Sequence, residues 1–131
     1  MQTEPMNLSF EVLPQTVIRS NEIYNSEAFI NLFAKGIKLF CLPGVIGVDS
    51  LLSLTIEVYD ELSEEWHDLH AAVLVDVGSS ETAFFIIVYP ESITDAATAV
   101  IRQHLGRKWR VRVSINDEGD SAMLIHGTYL V

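Results

Sequence analysis

The sequence predicts an all-β protein, an antiparallel β-sandwich or jelly roll of about eight strands. Three observations point there. Segments of period-two alternation recur along the chain, turn-forming clusters separate them, and a single stretch carries helical spacing. A length of 131 residues suits one domain, and no repeat, low-complexity tract or Gly/Ser linker divides it. The expected organisation is a polar, flexible arm over residues 1–7 and one sandwich domain over residues 8–131.

The elements follow in order. "LSFEVL" alternates apolar and polar residues until Pro14, which has no N–H for the ladder, and "TVIRS" resumes after that break. Residues 26–33 read as a loop or one helical turn. "KGIKLFCL" is extended again and is closed by Pro43 and Gly44. "LLSLTIEVYDEL" is the clearest strand, with Leu52, Leu54, Ile56 and Val58 on one face and Ser53, Thr55, Glu57 and Tyr59 on the other. "DELSEE" turns the chain, and "WHDLHAAVLVDV" runs back as the hairpin partner until "GSS". "TAFFIIVY" is apolar on both faces, as suits a strand inside a sandwich or one covered by another subunit. Residues 93–105 read as one short helix or a long loop, because Ile93, Ala97, Val100 and Ile101 recur at helical spacing behind a Thr94 or Asp95 cap. "KWRVRVSI" alternates once more, with Trp109, Val111, Val113 and Ile115 opposite Lys108, Arg110, Arg112 and Ser114. "NDEGD" is a turn, and "AMLIHGTYLV" is the last strand.

Charge narrows the partners. Eighteen acidic against eight basic residues give a formal charge of −10 and a pI near 4.6. A phosphate backbone or an anionic membrane repels such a chain, so neither nucleic acid nor membrane is an expected partner. "MQTEPMN" lacks the basic start and apolar stretch of a secretion signal, and "AFFIIVY" falls far short of the roughly 20 residues that span a bilayer. Yet Arg107, Lys108, Arg110 and Arg112 crowd into one short stretch. Because Lys108, Arg110 and Arg112 alternate with core positions, they are expected on the outward face of a strand, opposite acids such as Glu57 on a neighbouring strand. The competing reading is contact with an acidic partner, including another copy of this chain.

Sites for chemistry are sparse. Cys41, the one cysteine, sits between Phe40 and Leu42 and is expected as a buried thiol. His67 and His70 would share a face of a helix but diverge on a strand, so no metal site is expected from them. The acids at Asp60, Glu61, Glu64, Glu65 and Asp68, and those in "NDEGD", lack the alternating ligand spacing of a calcium loop. No nucleophile motif, phosphate-cradling loop or zinc-ligand set is present, so neither catalysis nor a cofactor is expected. Trp66, Trp109, Tyr59 and Tyr89 are rings able to stack on a sugar, although core or interface roles suit them better. Hydrophobic residues make up 49% of the chain, a surplus that points to a subunit interface.

The order of several motifs resembles a family of small virion proteins of tailed bacteriophages. These motifs are "IYN", "KGIKL", the "LTIEVYDELSEEWHDL" hairpin, "IVYP" and "RKWRVRVSINDEGDSAMLIHGTYLV", which together cover residues 16–131. The chain departs from the pattern in its richness in acids and in a more helical, less glycine-rich insert over residues 91–105. The resemblance implies a capsid cement or decoration protein, a homo-oligomer (a trimer) that is made in the host cytoplasm and docks on the major capsid protein at the virion surface. No catalytic residue comes with it. On that reading Lys108, Arg110, Arg112 and the arm residues Met1, Gln2, Thr3 and Glu4 make the intersubunit or capsid contacts. The alternatives are a carbohydrate-binding sandwich module that uses Trp66 and a neck or tail accessory protein.

Overall fold

The computed structural model describes residues 9–19, 22–45, 51–76, 83–91, 97, 99–115 and 121–131. Among them the chain forms β1 (Phe10–Ile18), β2 (Ile23–Asn25), β3 (Phe29–Ile30), β4 (Gly36–Val45), β5 (Leu51–Asp60), β6 (Glu65–Asp68), β7 (Val73–Asp76), β8 (Phe84–Val88), β9 (Ala99–Ile101), β10 (Lys108–Ile115) and β11 (Ser121–Leu130). No helix occurs among the described residues. The protein is all-β, as its alternation predicts.

The strands make two sheets. The first has the order β1-β11-β4-β8-β9. In the second, β10 and β5 are central, with β2 and β3 along the free side of β10 and β6 and β7 along the free side of β5. Every pairing is antiparallel except β8 with β9. Burial along β10 alternates residue by residue, and its inward set of Trp109, Val111, Val113 and Ile115 is that of the sequence pattern. These side chains meet Leu52, Leu54 and Ile56 of β5, Ile37, Leu39 and Cys41 of β4, and Ile86 and Val88 of β8 in one central cluster. Each fully buried Leu or Ile contributes about 1.5–3 kcal/mol, so this layer dominates the stability of the fold.

Several local expectations are corrected by tertiary context. Pro14, by contrast, interrupts the β1–β11 ladder as its missing N–H implies, with register irregularities between Glu11 and Leu13 and between Leu13 and Thr16 that an edge strand tolerates, and pairing resumes from Thr16 to Ile18. Pro43 and Gly44 do not close β4, which continues to Val45; β8 pairs with it only as far as Cys41, leaving Pro43 a ladder on one side alone. Residues 26–33 hold no helical turn, because β3 attaches them to β10. The return strand of the central hairpin is split in two. In the gap Leu69 N donates to Ile56 O (2.8 Å), and Ile56 N donates to His70 Nε2 (3.1 Å). In the stretch expected as a short helix or long loop, Ala99–Ile101 is a strand, drawn into parallel pairing with Ile86, Ile87 and Val88, while Ile93 and Asp95 lie outside the described residues. "NDEGD" lies outside them as well.

Gly36 marks the closest backbone approach, since a Cβ there would lie 1.8 Å from the Val88 carbonyl oxygen. Cys41 is fully buried, and burial pushes its thiol far above the ordinary cysteine range. The thiolate is the reactive form. Native protein is therefore expected to resist alkylation by iodoacetamide at pH 8 and to react rapidly in denaturant, as mass spectrometry would record; fast native labelling would contradict the packing.

Candidate interaction surfaces

The basic strand face is a charge ladder on the outside of the second sheet. Register sets Arg110 opposite Glu57, and Glu57 opposite Asp68 on the next strand. Glu57 is only 4% exposed; its Oε1 accepts from Arg110 Nε and its Oε2 from Arg112 Nη1, each at 2.7 Å. Arg112 also reaches Asp68 at 3.2 Å. Cross-strand pairing thus accounts for two of the crowded cations. Lys108 Nζ lies 4.6 Å over the Tyr59 ring, Tyr59 meets Trp66 edge-on at 5.3 Å, and the Arg110 guanidinium sits 4.2 Å over the Trp66 ring. One face of Trp66 is therefore occupied from within the protein. Of the expected contact residues, Lys108, Arg110 and Arg112 belong to this ladder, while Met1, Gln2, Thr3 and Glu4 lie outside the described residues.

The outside of the first sheet is apolar. Alternation turns Phe40 and Leu42 of β4, Phe85 and Ile87 of β8, Val100 of β9 and Leu124 of β11 away from the central cluster; Leu42 is exposed and Phe40, Phe85, Val100 and Leu124 are half-buried, whereas Ile87 is 1% exposed and already covered within the chain. Register aligns Leu42 with Leu124, Phe40 with Phe85 and Ile87 with Val100. The Phe40 and Phe85 rings are 5.3 Å apart, with Lys38 Nζ 4.7 Å over Phe85. "TAFFIIVY" is apolar on both faces because β8 lies inside a sheet whose outer face is itself apolar.

At one end of the sandwich, residues 31–35 form a tip. Asn31 is 7% exposed, and its amide clasps Ala34: Nδ2 donates to Ala34 O (2.8 Å) and Oδ1 accepts from Ala34 N (2.9 Å). Asn31 N donates to Arg107 O (2.6 Å), and Leu105 N to Lys35 O (2.8 Å). Around this buried anchor Ile30, Leu32 and Phe33 stand 54%, 72% and 60% exposed. Sequence reading missed the tip, although the signal was present: a lone Asn inside the apolar run "FINLF". A separate open cleft of about 390 Å³ lies between the edge strands β1 and β2, lined by Val12, Leu13 and Pro14 with Glu11 and Glu27.

The residues weighed for chemistry do other work. His67 meets the Ser63 hydroxyl while His70 serves β5, so the two histidines do not converge. Asp60 Oδ1 accepts from Leu62 N, and the Ser63 hydroxyl together with that N–H holds the Asp60 carboxyl below its usual range. Among the described residues no three His, Cys, Asp or Glu side chains group to hold a metal ion, and no helix is long and apolar enough to cross a membrane.

No family model and no curated protein matches the sequence. Among solved structures, the fold is similar to that of the PBSX exported protein XepA, with a TM-score of 0.60 at 14% identity over 100% of this chain and 39% of that one. The likeness shows the fold, and the chain spans about two fifths of that protein's length.

Proposed function

We propose that the chain is a non-enzymatic structural protein of a bacteriophage-type virion, a cement or decoration subunit that self-associates as a trimer and docks on the major capsid protein. The observation that carries this reading is the apolar outer face of the first sheet, where an isolated antiparallel sandwich carries polar residues. Half-exposed apolar side chains on a sheet face, here Phe40, Leu42, Phe85 and Leu124, favour an interaction site, and covering them gains about 25 cal/mol per Å². The charge distribution favours approach from that side. A chain of net charge −10 repels its own copies and any acidic partner, and on this face β4 and β11 present Lys38 and His126, with Glu11 of β1 opposite His126 at the edge. Repetition by symmetry then turns modest contacts into durable attachment. The fold likeness to a PBSX exported protein agrees with a phage-related origin.

Light scattering coupled to size exclusion, over about a hundredfold range of concentration, tests the reading. A persistent oligomer is expected. A monomer throughout would overturn the oligomeric cement role, and a specific glycan hit lost in Trp66→Ala would establish the carbohydrate module in its place.

A further inference from the structure

We infer that copies of this chain join head to tail, the tip of one copy (Ile30, Leu32, Phe33) entering the cleft between β1 and β2 of the next. The inference rests on the self-association proposed above and assigns the contact between copies to the tip and cleft, which leaves the apolar face of the first sheet for the capsid protein. Four observations carry it.

Hydrogen bonds within the chain tie the tip to the sandwich before any partner arrives. The buried Asn31 amide, the Asn31 N–Arg107 O bond at one side and the Lys35 N–Leu130 O bond (2.9 Å) at the other hold three large apolar side chains in water. Presenting them costs stability, and prior ordering lowers the entropy lost on docking.

Cations flank the tip. Ile30 is the register partner of Lys108, and Arg107 accepts the Asn31 N–H through its own carbonyl. Among the described residues neither Arg107 nor Lys108 forms an ion pair.

The cleft is complementary in both respects. It offers Pro14 and the Tyr24 ring as apolar wall, over the buried Val12 and Leu13 (2% and 5% exposed), beside the polar Thr16, Asn25 and Ser26, and Glu27 as a carboxylate with Glu11 at its rim; neither acid forms an ion pair among the described residues. Its volume of about 390 Å³ lies in the range of clefts that accept a small ligand, and so a pair of large side chains.

Geometry prevents a copy from filling its own cleft, because the tip is stitched to Arg107 and Leu130 at the sandwich end whereas the cleft lies along the β1–β2 edge. Each copy therefore carries one knob and one socket on different surfaces. A contact of that kind is heterologous and closes into a ring such as a trimer when the rotation permits. Electrostatic complementarity selects the register, and the apolar insertion supplies the affinity.

The experiment measures self-association of the full chain by sedimentation velocity and light scattering, with circular dichroism as the folding control. Leu32→Asp with Phe33→Asp is expected to raise the dissociation constant of self-association by about a hundredfold, because two apolar anchors are lost. Arg107→Glu and Glu27→Lys are each expected to weaken it by about tenfold, and the double charge swap in one chain to restore most of the loss. An oligomer that all these variants leave intact would overturn the tip–cleft contact while the oligomeric reading stands. A wild-type chain that stays monomeric would overturn both.

Discussion

Trp109→Ala is expected to destabilise the sandwich by about 4 kcal/mol, near the middle of the range for emptying a large aromatic from a core. The indole is fully buried between the sheets and stacks on Phe29 at 5.0 Å, with Phe10 at 6.4 Å and Tyr129 at 6.2 Å around it. Truncation removes the apolar area and leaves a void framed by Phe10 from β1, Phe29 from β3 and Tyr129 from β11, which backbone ladders hold in place. Collapse is therefore incomplete, and the cavity term adds to the transfer term. The lost hydrogen bond from Trp109 Nε1 to Tyr129 Oη (3.3 Å) is a smaller part, since the partly exposed phenol can turn to water. In urea the midpoint should fall by about 2 M at an unchanged slope of about 2 kcal/mol per M. A loss under about 1 kcal/mol would mean that the cluster repacks, against the near-crystalline density expected of a core.

The same cluster has a pH signature. Burial pushes the Tyr129 phenol up from its ordinary value. A raised folded-state pKa means that the contribution is fully present below about pH 10 and is lost as pH rises through the folded value. Stability should hold through neutral pH and decline in alkali, and Tyr129→Phe should flatten that alkaline limb in equilibrium melts.

What the sequence made legible was whatever depends on period two. The inward set of β10, the opposition of Glu57 and Arg110, and the two-faced apolar character of β8 all follow from alternation, because one residue of slip would move every side chain to the other face. What it hid depends on contacts distant along the chain. Pro43 reads as a stop, since nothing in the sequence tells a strand that outruns its neighbour from a central one. The split between β6 and β7 was invisible because a histidine nitrogen replaces a backbone carbonyl as acceptor for Ile56 N. Val100 and Ile101 keep helical spacing with Ala97, yet the open edge of β8 claims them for a parallel strand. The tip was hidden for the opposite reason: apolar residues in a row read as buried, and the exposure of Leu32 and Phe33 follows from an Asn whose amide closes on its own loop.

Glu57→Leu is expected to cost about 2–3 kcal/mol, less than the 3–5 kcal/mol typical of breaking a deeply buried pair. Two facts set the discount. The Arg110 and Arg112 side chains keep 24% and 32% of their exposure, so water screens part of the loss, and Arg112 retains Asp68 at 3.2 Å. Arg110 suffers more, because among the described residues Glu57 is its one carboxylate, leaving the Trp66 ring at 4.2 Å as its remaining partner. The informative comparison is the triple variant Glu57→Leu, Arg110→Met, Arg112→Leu, which replaces the three central members of the ladder by apolar side chains and leaves Lys108 and the half-exposed Asp68. If it regains wild-type stability in urea, the network adds little net stability, and its physical role is to fix the register of β10 against β5 and to keep this face too polar to be mistaken for the proposed docking face on the other sheet. Recovery with new concentration-dependent aggregation would identify that second role directly. Failure to recover would instead place net stabilisation in the forked hydrogen bonds themselves, where each charge-assisted contact is worth more than its neutral counterpart.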